Sequence, residues 1–276
     1  MKKYFFIVYC LIFSVLLTYG QNSYYDNGMT YYNMQNFSVA KSFFVSSYLY
    51  ETTNEELIYL IAKCSKEINS NDLEDWYNLL LLKSNSNSKY HFLAIKDMSL
   101  IHFDRGEFEN SRKLLMSIRL SSIFDNELYF KLGYCFLQEG KFDEAKYYFE
   151  KIDDNSSVYY IPSIYYYGHI AYEQKLYSVS LDKMNSLLGK KVYSNIASYY
   201  ISQILFKQNQ YQKVVDFVIP ILDKSINSRK KELYRILAES YYRLGSYINA
   251  DNFFDKYLEI EKNPSIKQNK GKFARQ

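Results

Sequence analysis

The sequence predicts an all-α fold of about seven stacked helical hairpins. Three columns of residues, each recurring every 34 to 36 positions, predict it. The first column is an aromatic or leucine that opens a second helix: Phe37, Leu73, Phe108, Phe142, Tyr177, Tyr211 and Tyr247. The second lies nine residues earlier: Gly28, Cys64, Ser99, Gly133, Gly168, Ser202 and Ala238. Every member is small, as close contact between two helices requires. The third lies two residues before the opener: Gln35, Asn71, Gly106, Gly140, Lys175, Asn209 and Gly245. Five of these seven are Gly or Asn, the residues that best tolerate a left-handed turn. Gln35 and Lys175 are the exceptions, and Asn36 stands ready to take that role beside Gln35.

The stretch Tyr129–Phe149 carries all three columns most plainly. Tyr129, Leu132, Gly133 and Phe136 fall on one helical face, spaced three or four apart. Gly140 breaks the run, and Phe142, Ala145, Phe149 and Ile152 mark the face of a second helix. L-G-x-x-F followed by G-x-F-x-x-A-x-x-x-F resembles the tetratricopeptide (TPR) repeat, whose period is about 34 residues. The resemblance runs from about Gln21 to Pro264. It implies a right-handed superhelical solenoid whose first helices line a concave, ligand-binding face.

In order, the repeats are expected near 21–53, 54–91, 92–125, 126–160, 161–194, 195–230 and 231–264. The first matches through Gly28, Tyr31, Phe37, Ala40 and Phe44. The second is irregular. Lys63 and Glu67 fall where apolar residues belong, and Trp76 replaces a small residue. Either its register slips, with Ile58, Ile61 and Ala62 as the true core, or the repeat is distorted. Lys83–Lys89, KSNSNSK, reads as a surface turn. Pro162 falls in a first helical turn, where proline is tolerated. Pro220 falls late in a second helix, which should kink or end early. A repeat array is one stack, so no domain boundary is expected among the repeats.

Residues 1–20 read as a signal peptide. Lys2 and Lys3 precede an apolar run, and Thr18 and Gly20 place small residues before a cut at Gln21. The run is shorter than the roughly 20 residues of a membrane span. Export to the periplasm or cell envelope of a bacterium is therefore the expected localisation. Only Cys64 and Cys135 remain in the mature chain, and they are expected to be free, buried packing residues. Without the leader there are 32 basic and 30 acidic residues. Lys262–Gln276 alone contributes five basic residues and no acid, leaving a slightly acidic body. Residues 265–276 are expected to form a basic, disordered tail.

Catalysis is not expected. His91, His102 and His169 have no Cys or His at ligand spacing, and no phosphate loop or triad motif occurs. No cofactor or metal is expected, and no nucleic-acid partner. The expected function is an exported protein-interaction scaffold that binds a peptide or partner protein. The resemblance places positions 5, 9 and 12 of each first helix on the groove. This nominates Tyr25, Met29 and Tyr32, then Lys96, Leu100 and Phe103, and then Phe130, Tyr134 and Leu137. It continues with Tyr165, His169 and Tyr172; Tyr199, Gln203 and Phe206; and Arg235, Glu239 and Tyr242. Tyr and Phe offer large contact area at small entropic cost. Position 12 has an alternative role, packing between helices. The carboxylate clamp of chaperone-binding relatives is not matched, since Lys96 pairs with Leu100 and Arg235 stands alone. Two other functions are carried forward: binding of glycan or peptidoglycan by the same aromatics, and docking into a larger envelope assembly by the C-terminal hairpin.

Overall fold

The computed structural model describes residues 23–224 and 227–262. The leader and the basic tail lie outside the described residues. Among the described residues the fold is all-α, fourteen helices in seven consecutive pairs. They are α1 (23–33), α2 (Phe37–Tyr48), α3 (Glu55–Glu67), α4 (Leu73–Lys83), α5 (Lys89–Asp104), α6 (Phe108–Ile118) and α7 (Asn126–Gln138). Then come α8 (Phe142–Glu150), α9 (Tyr160–Glu173), α10 (Tyr177–Ser186), α11 (Ser194–Lys207), α12 (Tyr211–Val218), α13 (Asn227–Arg243) and α14 (Tyr247–Lys262). Every residue of the opener column is the first residue of a second helix. No described helix is long and apolar enough to cross a membrane.

The chain divides into two compact units, 1–139 and 140–276. The sequence suggested no such boundary. A repeat array is held together only by contacts between neighbouring hairpins, so a long one has no single core. In the first unit each helix from α2 packs on the next, and α3 also packs on α5. In the second, α8 through α14 follow the same rule, and α11 also packs on α9 and α13.

The hairpin turns have one design. The helix ends with a residue at positive φ: Gln35 (58°), Gly106 (77°), Gly140 (72°), Lys175 (60°), Asn209 (57°) or Gly245 (76°). In the first hairpin Gln35 N–H donates to the Tyr32 carbonyl and Asn36 N–H to that of Tyr31, both at 2.9 Å. The same pair of bonds closes α5, α9, α11 and α13, satisfying carbonyls that a helix end leaves orphaned. Gln35 and Lys175 thus take the left-handed role themselves. Asn36 instead caps α2, its side chain accepting from Val39 N–H.

The second hairpin differs because its turn is two residues longer. Asn69 (φ 51°), not Asn71, is the left-handed residue that ends α3. The register of α3 therefore slips by two, and Ile58, Ile61 and Ala62 are fully buried. Ala62 takes the small position, seven residues before the left-handed one, although Cys64 is buried as well. Lys63 and Glu67 leave the core face for the same reason. In α4 the core position passes from Trp76 to Tyr77, which is fully buried.

The small column marks close contacts. A Cβ on Gly28 would lie 2.5 Å from the Phe44 ring, and one on Gly168 would lie 3.0 Å from Lys183 and Met184. Ser180 Oγ donates to the Gly168 carbonyl at 2.8 Å, tying α10 to α9. Pro220 ends α12 at Val218, and a 3₁₀ segment, Ile219–Lys224, follows. Proline has no N–H with which to continue the helix. The turn after Lys83 is tied down: Ser88 caps α5, and Asn85 N–H donates to Glu55 Oε1 at 3.0 Å. Cys64 and Cys135 are free and buried, and burial pushes their thiols up to about 12 and about 11.

One buried charge was not visible in the sequence pattern. Asp97 on α5 accepts hydrogen bonds from the Tyr59 and Tyr77 hydroxyls, each at 3.0 Å. Lys63 and Lys66 approach it at 3.7 Å. Burial, followed by the Asp97 charge and hydrogen bond, drives both phenols far above their ordinary range. Asp97→Ala is expected to destabilise the chain by about 2–4 kcal/mol in urea unfolding, because Tyr77 would lose its acceptor in the core. Lys175→Gly is expected to stabilise by about 0.5–1 kcal/mol, relieving a left-handed lysine at some entropic cost. Asn71→Gly, at negative φ, should give no such gain in the same assay.

Candidate partner-binding site

Position 12 has a structural job. Tyr32 packs edge-on against Phe37 at 5.4 Å, Phe103 against Phe108 at 5.5 Å, and Tyr242 against Tyr247 at 5.6 Å. Tyr172 meets Tyr177 at 6.1 Å, and Phe206 meets Tyr211 at 5.9 Å. The two rings stand five residues apart across each left-handed turn. Edge-to-face geometry suits their quadrupoles. These rings are half-buried, except for Tyr242 and Tyr247, which are exposed.

In the first unit, Tyr25, Met29 and Tyr32 pack on the Phe44 core. Phe130, Tyr134 and Phe103 form a half-buried cluster, with Tyr134 5.5 Å from Phe103 and 6.4 Å from Phe130. The Lys131 ammonium sits 4.2 Å over the Phe103 ring, a favourable cation–π distance. Lys96 is paired with Asp125 at 3.0 Å. Leu100 and Leu137 are half-buried.

In the second unit the nominated residues converge more densely. On α9, the Tyr165 ring stacks on His169 at 6.2 Å. Tyr200 of α11 inserts beside them, 5.0 Å from Tyr172, and its hydroxyl lies 2.8 Å from His169 Nδ1. Burial lowers the His169 pKa, opposed by Glu173. The ring is then neutral near pH 7, and Nδ1 shares a hydrogen bond with the Tyr200 hydroxyl. Burial raises Tyr172 to about 12, with neighbouring Tyr199 next in effect. Tyr193, just before α11, lays its ring 5.5 Å from Tyr165.

Charge on this face is arranged unevenly. Gln203 is buried and donates to Glu232 Oε1 at 3.0 Å. Arg235 is committed to Glu232 and Glu239, and its guanidinium lies 5.8 Å over the Phe206 ring. Arg229, at the start of α13, lies 5.6 Å over the Tyr199 ring. Among the described residues no carboxylate pairs with it. Tyr165, Tyr193, Ile196, Val192, Asn195 and Arg229 enclose a cleft of about 360 Å³.

Tyr193, Tyr200 and Arg229 were not nominated by the sequence. Tyr193 lies in a connection, and Tyr200 is one step off the repeat position. Arg229 lies outside the last repeat as read from the pattern, because α13 begins at Asn227, a turn before the expected start at Lys231. The run of basic residues Arg229–Lys231 was a signal that could have been weighed.

His169 gives a pH test. A histidine with a lowered folded-state pKa favours folding while neutral, and that contribution is lost as pH falls through its unfolded value near 6.5. Acidifying from pH 7.5 to 5 is therefore expected to lower the melting temperature of wild type more than that of His169→Gln, read by thermal unfolding monitored by circular dichroism.

Residues 127–155 match the tetratricopeptide repeat family. No curated protein matches the sequence. Among solved structures, MamA of AMB-1 superposes with a TM-score of 0.55 at 16% identity, covering 64% of this chain and 94% of its own. A tetratricopeptide repeat protein from Parabacteroides merdae superposes with a TM-score of 0.53 at 13% identity, covering 90% of this chain and 96% of its own. PilF of Pseudomonas aeruginosa gives 0.50 at 13% identity, over 74% and 91%. At these identities the likeness is one of fold: an all-α, tetratricopeptide-type helical repeat.

Proposed function

We propose that this chain is an exported, non-catalytic scaffold that binds an extended segment of a partner protein along the first helices of its second unit. Helical repeats of this kind generally serve protein partners, and the fold is theirs. The observation that carries the reading is the surface formed by Tyr165, Tyr193, Tyr199 and Tyr200. Its rings are half-exposed and close to one another, held by helices whose cores are packed beneath them. A rigid aromatic surface gives contact area without much entropy to lose on binding, and the phenol hydroxyls can hydrogen-bond a peptide backbone. His169 supports this surface from within, and Arg229 charges its edge.

Export rests on the leader at residues 1–20. Amino-terminal sequencing of the protein recovered from the envelope should begin at Gln21. A second reading has its own observation: Tyr247 and Ile248 on α14 are 65% and 81% exposed. Apolar side chains this open suit docking into a larger assembly.

In-cell crosslinking with mass spectrometry separates the readings. Wild type is expected to capture a small set of proteins that Tyr165→Ala with Tyr199→Ala loses by about tenfold or more, as truncation of two interface aromatics implies. Thermal unfolding of the double variant must show that it is still folded. Equal capture by both proteins would move the interface to α14. Retention on peptidoglycan without any captured protein would favour the glycan reading.

A further inference from the structure

Arg229 and Arg235 lie less than two turns apart on α13, yet their situations differ. Arg235 holds two carboxylates, Glu232 and Glu239, and Glu232 also receives Gln203. Those acids are used up within the fold. Arg229 has the Tyr199 ring beneath it and, among the described residues, no acceptor for its guanidinium donors. A guanidinium stacked on an aromatic keeps its fork free for a planar, bidentate acceptor. The cleft beside it is walled by Tyr165 and Tyr193, with Ile196 and the 78%-exposed Val192 adding apolar surface. Its volume, about 360 Å³, lies at the low end for ligand sites and suits one or two side chains.

We propose that this cleft seats an aspartate or glutamate side chain of the partner segment, with an apolar neighbour packed on the Tyr165–Tyr193 wall. This rests on the peptide-binding reading above and adds the chemistry of the ligand to it. Charge selects the occupant. The segment Lys262–Gln276 carries five basic side chains and no acidic one, so its side chains offer Arg229 no charge complement. A chain-end carboxylate is usually held by several converging donors. Here a single cationic group, Arg229, lines the cleft beside the Asn195 amide and the Tyr165, Tyr166 and Tyr193 phenols, which suits an internal acidic side chain. The site is partly exposed, so binding should weaken as salt screens the pair.

The test is a selection of random displayed peptides, blocked at their carboxyl ends, against the full chain. Enriched peptides are then synthesised and titrated by fluorescence anisotropy against wild type, Arg229→Lys, Arg229→Gln and Arg229→Glu. The enriched peptides should carry Asp or Glu beside an apolar residue. Their affinity should fall about tenfold in Arg229→Gln, with Arg229→Lys in between. Arg229→Glu should prefer the same peptides with the acid changed to lysine, an inversion that an unfolded variant would not show. Enriched peptides without an acid, or bound equally by Arg229→Gln, would overturn the proposal and leave the peptide-binding reading standing. A requirement for a free carboxyl end would overturn it in favour of chain-end recognition. No enriched peptide at all would end both readings. Retention on an acidic polysaccharide in that case would point to a glycan.

Discussion

The left-handed turn that ends each first helix is the constraint on which the rest of this structure depends. A second helix can start two residues after that turn only if one residue adopts positive φ and the last carbonyls are capped by the next two amides. That geometry fixes where the opener ring lies. It places position 12 five residues away and beside it, so an aromatic pair, edge-on in four cases and tilted at Tyr172–Tyr177, closes the hairpin in five of the seven repeats. It also sets which residue of the first helix meets the second, and that residue must be small. Where the turn gains two residues, between α3 and α4, the whole register of α3 moves with it.

The same constraint decides which aromatics remain for a partner. A ring at position 12 spends one side on its own hairpin. In the second unit the position-5 rings Tyr165 and Tyr199 meet additional tyrosines supplied by α11 and the connection before it. Tyr200 ties this group to α9 through His169, whose neutral imidazole is set by burial. The shelf is therefore held by its neighbours before anything binds, which lowers the ordering cost of association.

Charge is distributed by the same logic of who is already paired. Asp97 is a carboxylate satisfied by the buried Tyr77 and half-buried Tyr59 phenols and approached by two lysines, so its role is structural. Arg235 is satisfied by two glutamates on its own helix and joins the packing over Phe206. Arg229 is stacked on Tyr199 and, among the described residues, has no carboxylate partner, which leaves its chemistry directed outward. Three ionised residues on first helices thus have three different roles, and helix position alone does not separate them.

The sequence by itself determined the hairpins, because a 34–36 residue period in small, left-handed and opener positions reports local requirements of turn and contact. Each second helix begins at the residue the pattern marked, and Pro220 ends α12 as its missing N–H demands. The pattern also contained the slip in the second repeat, visible as Lys63 and Glu67 on a face that should be apolar. Only the tertiary structure shows that Gln35, rather than Asn36, and Lys175 adopt positive φ, since capping the helix end can impose that conformation on them. It alone paired Tyr59 and Tyr77 with Asp97, a contact spanning three helices. It alone separated Arg229 from Arg235, because pairing depends on which carboxylates reach each guanidinium. Periodicity records what every repeat must do, whereas the cleft at Arg229 arises from side chains that three consecutive hairpins bring together.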